Sequence, residues 1–160
     1  MNLALELSVP ARPEYIAIVR LVVSSLAGAR RNVADERLDD LKLAVSEACT
    51  NAIEAQRAAR RDDPVVVQVW EAAERLEVRI EDRGTGFDPD SLPEHPPVTD
   101  PERLNFERGL GIPLIRTLVD AVSFEPRQPG TSVHLTLFGG PADGGDQTAE
   151  ILRAVLSDEE

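Results

Sequence analysis

A run that alternates like a strand, Leu76, Val78 and Ile80, passes directly into Asp82-Arg83-Gly84-Thr85-Gly86-Phe87-Asp88. No other stretch constrains the chain as much, because it fixes a strand, its end and a special turn within a dozen residues. Glycines one residue apart permit positive φ and let another group approach the main chain closely. A carboxylate at the strand end can accept a hydrogen bond from an exocyclic amine or a bound water. This is a usual way to hold a small polar ligand, and the plain alternative is a hairpin turn with an exposed aspartate.

The flanking pattern supplies the rest of a sheet. Leu3, Leu5, Leu7 and Val9 alternate with small or polar residues as a half-buried strand ending at Pro10. Pro13-Glu14 opens an apolar helix through Ile16, Val19, Val22, Val23 and Leu26 to near Gly28. Its apolar coverage is broad, so it either packs on a sheet or forms a subunit contact. Asp35 is a candidate N-cap for a second helix reaching about Arg61, with Leu38, Leu41, Val45, Ala48 and Ala52 as its apolar stripe. Pro64 ends that pattern. Val65, Val67 and Val69 then begin a strand whose antiparallel neighbour carries Leu76, Val78 and Ile80. Five prolines between Pro89 and Pro101 mark a long irregular loop, of the kind that is usually functional or mobile. A helix from Ile112 to about Val119 follows, then a strand at Val122 and Phe124, a turn at Gly130 and a last strand through Val133, Leu135 and Leu137. The expectation is an α+β two-layer sandwich: a mixed, mostly antiparallel sheet covered on one face by helices.

At 160 residues the chain has the length of one domain. Its net charge of -12 argues against binding nucleic acid through the phosphate backbone and suits a basic protein partner. No stretch approaches the roughly 18 apolar residues of a membrane span, and the amino terminus lacks a basic n-region. The single cysteine, Cys49, excludes an internal disulfide, suits a reducing cytoplasm and reads as core packing.

Three further clusters could carry chemistry. Glu47 and Asn51 stand four residues apart and share a helix face. An Asn carbonyl suits Mg²⁺, which prefers phosphate as its other partner, and a carboxylate one turn away can polarise a hydroxyl or water. A solvated polar edge is the alternative. Glu107-Arg108-Gly109-Leu110-Gly111 precedes a helix, where free backbone N–H groups favour phosphate oxygens; a plain loop-to-helix junction is the alternative. Gly130-Thr131-Ser132 puts a hydroxyl at the start of the last strand, which in isolation is only a turn.

Together, and in this order, the four clusters resemble the nucleotide-binding motifs of the GHKL (Bergerat-fold) ATPases and kinases. Glu47…Asn51 is similar to the N-box and Asp82-Arg83-Gly84-Thr85-Gly86 to the G1 box. Arg108-Gly109-Leu110-Gly111 is similar to the G2 box and Gly130-Thr131 to the last box. The resemblance covers residues 1–138, taken as one ATP-binding kinase domain with an ATP lid at 88–108. An acidic tail, 139–160, follows with one short amphipathic piece. The compact length, Asp-x-Gly-x-Gly-Phe-Asp-Pro and Gly-Leu-Gly-Ile narrow the likeness to the bacterial anti-sigma-factor serine/threonine kinases of the RsbW/SpoIIAB type.

The resemblance implies roles residue by residue. Asp82 accepts the adenine amine, and Gly84 and Gly86 let the chain pass close to base and ribose. Asn51 ligates Mg²⁺ on the ATP phosphates, and Glu47 is the general base for a substrate serine. Arg108 and the amides of Gly109, Leu110 and Gly111 lie near the β- and γ-phosphates, and Thr131 helps close the adenine pocket. It also implies a cytoplasmic homodimer, formed through the first strand and helix, that holds an RNA polymerase sigma factor and phosphorylates an anti-anti-sigma (STAS) protein. Two departures stand out. Relatives often carry a histidine shortly after the N-box asparagine, where this chain has Glu54-Ala55-Gln56, and the acidic tail has no place in the pattern. His95 in the lid and His134 in the last strand read as structural or solvated. A non-catalytic nucleotide-binding adaptor is the alternative, opposed by the presence of Glu47. A histidine-kinase catalytic domain ranks lower, since no helical dimerisation domain precedes the first strand.

Overall fold

The computed structural model describes residues 1–30, 33–86 and 111–139. Five strands, β1 (Asn2–Val9), β2 (Val65–Glu71), β3 (Arg75–Asp82), β4 (Ala121–Pro126) and β5 (Thr131–Phe138), form one sheet in the order β1-β2-β3-β5-β4. Each pair is antiparallel, so the mixed component of the expected sheet is absent among the described strands. Three helices, α1 (Ile16–Gly28), α2 (Asp35–Ala58) and α3 (Gly111–Leu118), accompany the sheet, with a 3₁₀ turn at Pro13–Tyr15 leading into α1. Among the described residues no helix is long and apolar enough to cross a membrane.

Strand alternation decides which face is covered. Leu5, Leu7 and Val9 stand opposite Val69, Val67 and Val65, and Val69 and Val67 stand opposite Val78 and Ile80. Val78 and Ile80 in turn face Leu135 and Val133 of β5. This row is the apolar face, and it packs with Val19, Val23 and Ala27 of α1, Leu41, Val45, Ala48, Cys49, Ala52 and Ile53 of α2, and Ile115 of α3. Burying such a surface is the main force holding helices to sheet. The opposite face is polar: Glu6 bonds Gln68 across the strands at 2.7 Å, and Glu77, Arg79, Ser132 and His134 lie farther along.

The helices follow the expected stripes, with two corrections. Asp35 is the first helical residue of α2 rather than its cap; Ala34 holds the cap position and offers no side-chain bond. Asp35 and Glu36 instead place negative charge at the positive end of the dipole. The helix also stops at Ala58, short of Arg61: Arg60 turns left-handed at φ 53°, and the N–H of Arg61 reaches back to the Gln56 carbonyl at 3.1 Å. No glycine marks this stop in the sequence, which hid it. On α1, one side meets the core, while Ile18 and Leu21 stay exposed. Arg30 then ties the end of α1 to the β2–β3 turn and to β5, donating to the carbonyls of Ala72 (2.8 Å) and Gly139 (3.1 Å).

Candidate functional site

The end of β3 and the start of β5 form one corner of the sheet, where Asp82 pairs with Thr131. Asp82 falls in the same alternation as Val78 and Ile80, so its side chain is on the helix-covered face and only 6% exposed. Its Oδ1 accepts the N–H of Gly84 at 2.8 Å, which curls the chain sharply as it leaves the strand. Burial pushes the carboxyl above the ordinary aspartate range, and the backbone N–H groups of Gly84 and Thr131 pull it partly back.

Two glycines are needed here on steric grounds. A Cβ on Gly84 would lie 2.4 Å from the Ala55 carbonyl carbon and 2.6 Å from its oxygen, so the turn lies directly against α2. Gly130, at φ +102°, passes so near Asp82 that a Cβ would come within 1.9 Å of its backbone oxygen. Gly86 differs: it has φ +80°, but the nearest atom to its Cβ direction is the Gly130 oxygen at 3.9 Å.

Ala55 continues the line of Glu47 and Asn51 along α2 at four-residue intervals. The Asp82 turn therefore abuts the same helix face one turn beyond Asn51. Both Glu47 and Asn51 are half-buried, not fully solvated. Behind them Ala48 and Ala52 sink into the core and keep α2 close to the sheet. Thr131 completes the corner: it is 3% exposed, and its Oγ1 is buried without a hydrogen-bond partner. A buried carboxylate beside an uncommitted hydroxyl suits a flat ligand that offers an N–H donor next to an acceptor.

The structure thus brings Asp82, Gly84, Gly86 and Thr131 together beside the helix of Glu47 and Asn51. Gly111 begins α3, which packs beside α2. Arg108, Gly109 and Leu110, the lid at 88–108 with His95, and the tail beyond Gly139 lie outside the described residues. His134 is on the other face of the sheet, with Nε2 3.0 Å from Ser132 Oγ and Nδ1 3.3 Å from Glu77 Oε1, in keeping with a structural role. Cys49 is buried, and desolvation pushes its thiol up to about 12, which leaves it unreactive at neutral pH.

Two residues have roles that sequence reasoning missed. Gly130 entered as a turn and as part of a motif, without its contact with Asp82, the tightest approach at the corner. Gln56 was noted only as a departure, yet it is fully buried and hydrogen-bonded to two other segments. A signal existed: Val45, Cys49, Ala52 and Ile53 set a buried stripe that extends to 56, so a polar residue there needs internal partners.

Residues 9–137 match the family described as the Histidine kinase-like ATPase domain. The chain is 37% identical over 138 residues to the serine-protein kinase RsbW of Bacillus subtilis, covering 84% of each. It is 36% identical over 141 residues to that of Listeria monocytogenes, covering 86% of this chain and 88% of the relative. Among solved structures it is similar to the RsbU and RsbW domains of Rv1364c from Mycobacterium tuberculosis, with TM-score 0.61 and 19% identity over 89% of this chain and 34% of that one. The mycobacterial sensor histidine kinase MprB gives TM-score 0.50 at 19% identity, over 86% of this chain and all of that one. At these identities the structures establish the shared fold.

Proposed function

The chain belongs to the RsbW-type serine-protein kinases of the histidine kinase-like ATPase family, and we infer that it transfers the γ-phosphate of ATP to a serine of a protein partner. It is an anti-sigma factor as well as a kinase. In the full proposal it binds an RNA polymerase sigma factor, phosphorylates an anti-anti-sigma (STAS) protein, and works as a homodimer in the cytoplasm.

The observation that carries the nucleotide assignment is the Asp82–Thr131 corner, a buried carboxylate beside an unpartnered hydroxyl. Asp82 accepts the exocyclic amine of adenine, and Thr131 Oγ1 finds its partner on the same edge of the base. Gly84 and Gly86 let the main chain run alongside base and ribose. The phosphates are assigned along α2 past Asn51 toward the start of α3, and the sequence motif of Arg108, Gly109, Leu110 and Gly111 is assigned to hold them.

Mg²⁺ fits this arrangement. Asn51, half-buried on α2, would offer its amide oxygen to the cation, and phosphate oxygens and water would supply the remaining ligands. When bound, it neutralises charge on the phosphates. Glu47, one turn from Asn51, accepts the proton of the substrate serine. The serine oxygen then attacks the γ-phosphorus, its bond to the β–γ bridging oxygen breaks, and ADP leaves.

The test is transfer of radiolabelled γ-phosphate from ATP to a purified STAS partner by wild type and Glu47→Ala. Glu47→Ala should lower the rate at least about a hundredfold, the usual contribution of a positioned base, while still binding ATP. Full transfer by the variant would remove Glu47 from the role.

A further inference from the structure

We propose that Gln56 is a positioning residue for nucleotide recognition, its buried amide pinning the base-reading turn to the helix that carries Glu47 and Asn51. The proposal rests on the assignment of Asp82 to the adenine amine.

Gln56 has 0% exposure, so each polar atom of its amide must find a partner inside the protein. Its Oε1 accepts the N–H of Arg83 at 3.1 Å, and its Nε2 donates to the carbonyl of Asp63. One side chain thus joins three segments: the last turn of α2, the connection entering β2, and the turn leaving β3. Arg83 lies between Asp82 and Gly84. The two successive N–H groups of this turn therefore have different tasks. That of Gly84 orients the Asp82 carboxylate at 2.8 Å, and that of Arg83 anchors the turn to α2.

Among the described residues alternative anchors are scarce. Gly84 touches the Ala55 backbone but contributes no side chain, so its contact limits approach without preventing withdrawal. The Asp82–Thr131 pairing fixes the strand end relative to β5, not relative to α2. Asp82 reads the base and Asn51 is assigned to the phosphate side. The Gln56–Arg83 bond therefore sets the spacing between two groups that must meet one ligand at once. A displacement of about 1 Å there is enough to break a hydrogen bond to the base.

A residue that only supports the fold would weaken all ligands together. A positioning residue loses the discrimination between bases. ATP and inosine triphosphate differ at the position Asp82 is assigned to read: inosine carries a carbonyl where adenine carries the amine. The experiment measures calorimetric affinities for both nucleotides, with Mg²⁺, on four proteins: wild type, Asp82→Asn, Gln56→Met, and the core variant Val67→Ala. Gln56→Met keeps the length of the side chain and removes both bonds. Val67→Ala lowers stability from a fully buried site on β2, opposite Ile80 and without a bond to the Asp82–Gly84 turn.

Wild type should prefer ATP by about tenfold or more, the worth of one hydrogen bond to a charged acceptor. Asp82→Asn should erase or invert that preference, since an amide suits the inosine carbonyl. Gln56→Met should shrink the preference at least about threefold through weaker ATP binding, with inosine triphosphate little changed. Val67→Ala should keep the wild-type ratio despite a lower Tm. If Asp82→Asn loses the preference while folded Gln56→Met retains it, the proposal is overturned and the adenine assignment stands. If Asp82→Asn keeps the preference, the adenine assignment falls and the proposal with it. Should Gln56→Met fail to fold, Gln56→Asn, whose amide is withdrawn by one methylene, carries the same comparison.

Discussion

Thr131 and Ser132 are adjacent hydroxyl residues on β5, both buried, and the pleat sends them to opposite faces of the sheet. Ser132 enters a row of partners: its Oγ meets His134, which meets Glu77, which meets Arg79, whose guanidinium lies over Trp70. Thr131 enters none, although it lies beside the buried carboxylate of Asp82. Native proteins rarely leave a buried hydroxyl unpaired without a reason. The contrast is between two hydroxyls: Ser132 is satisfied within a polar row that still leaves Trp70 Nε1 and Arg79 Nε without partners, whereas Thr131 is unpaired beside a buried carboxylate, where a ligand can complete it.

The largest effect should come from filling that corner. Gly130→Ala drives a Cβ to within 1.9 Å of the Asp82 backbone oxygen at a φ of +102°. A loss of about 3 kcal/mol, together with loss of ATP binding, is expected from denaturant melts and calorimetry.

Asp82→Asn should separate stability from binding. Burial raises the carboxyl of Asp82, so the folded state holds its proton more tightly than the unfolded chain does. The contribution of Asp82 to stability is therefore full below its ordinary value of 3.8 and is lost as pH rises through the raised folded value. At neutral pH the charged group is a burden on the fold. Asp82→Asn should be at least as stable as wild type at pH 7, and the gap should close on acidification through that window. Thermal melts between pH 7 and 4 check both parts; a neutral-pH loss of stability would contradict the sign.

The smallest pair isolates the two faces. Thr131→Val keeps the branched shape and removes the orphan hydroxyl, so stability should hold or rise by up to about 1 kcal/mol while ATP binding weakens. Ser132→Ala removes a satisfied bond, so stability should fall by about 1 kcal/mol with ATP affinity unchanged. Equal effects of both variants on ATP would abolish the distinction.

Much of the fold was legible because strand alternation and helical stripes are strong signals: Val67 and Val69 stand opposite Ile80 and Val78 across β2 and β3, with Val65 and Leu76 buried in the same alternation, as their pattern required. Ends were less legible. Asp35 has the chemistry of a cap but takes the first helical position, and Arg60 reverses the chain without the glycine that usually announces such a turn. At the site, the glycines and carboxylates could be read because their chemistry is local. The clamp of Gln56 could not, because its partners Asp63 and Arg83 are brought to it only by the folded β2–β3 hairpin.

The most direct test of the account is a calorimetric titration of Mg·ATP into wild type and Asp82→Asn at neutral pH, with both proteins shown folded by circular dichroism. The account predicts saturable binding to wild type that weakens at least about tenfold in the variant, in line with losing a charged hydrogen-bond acceptor. Equal affinity in the two proteins would contradict it, because the carboxylate at the corner would then not be reading the base.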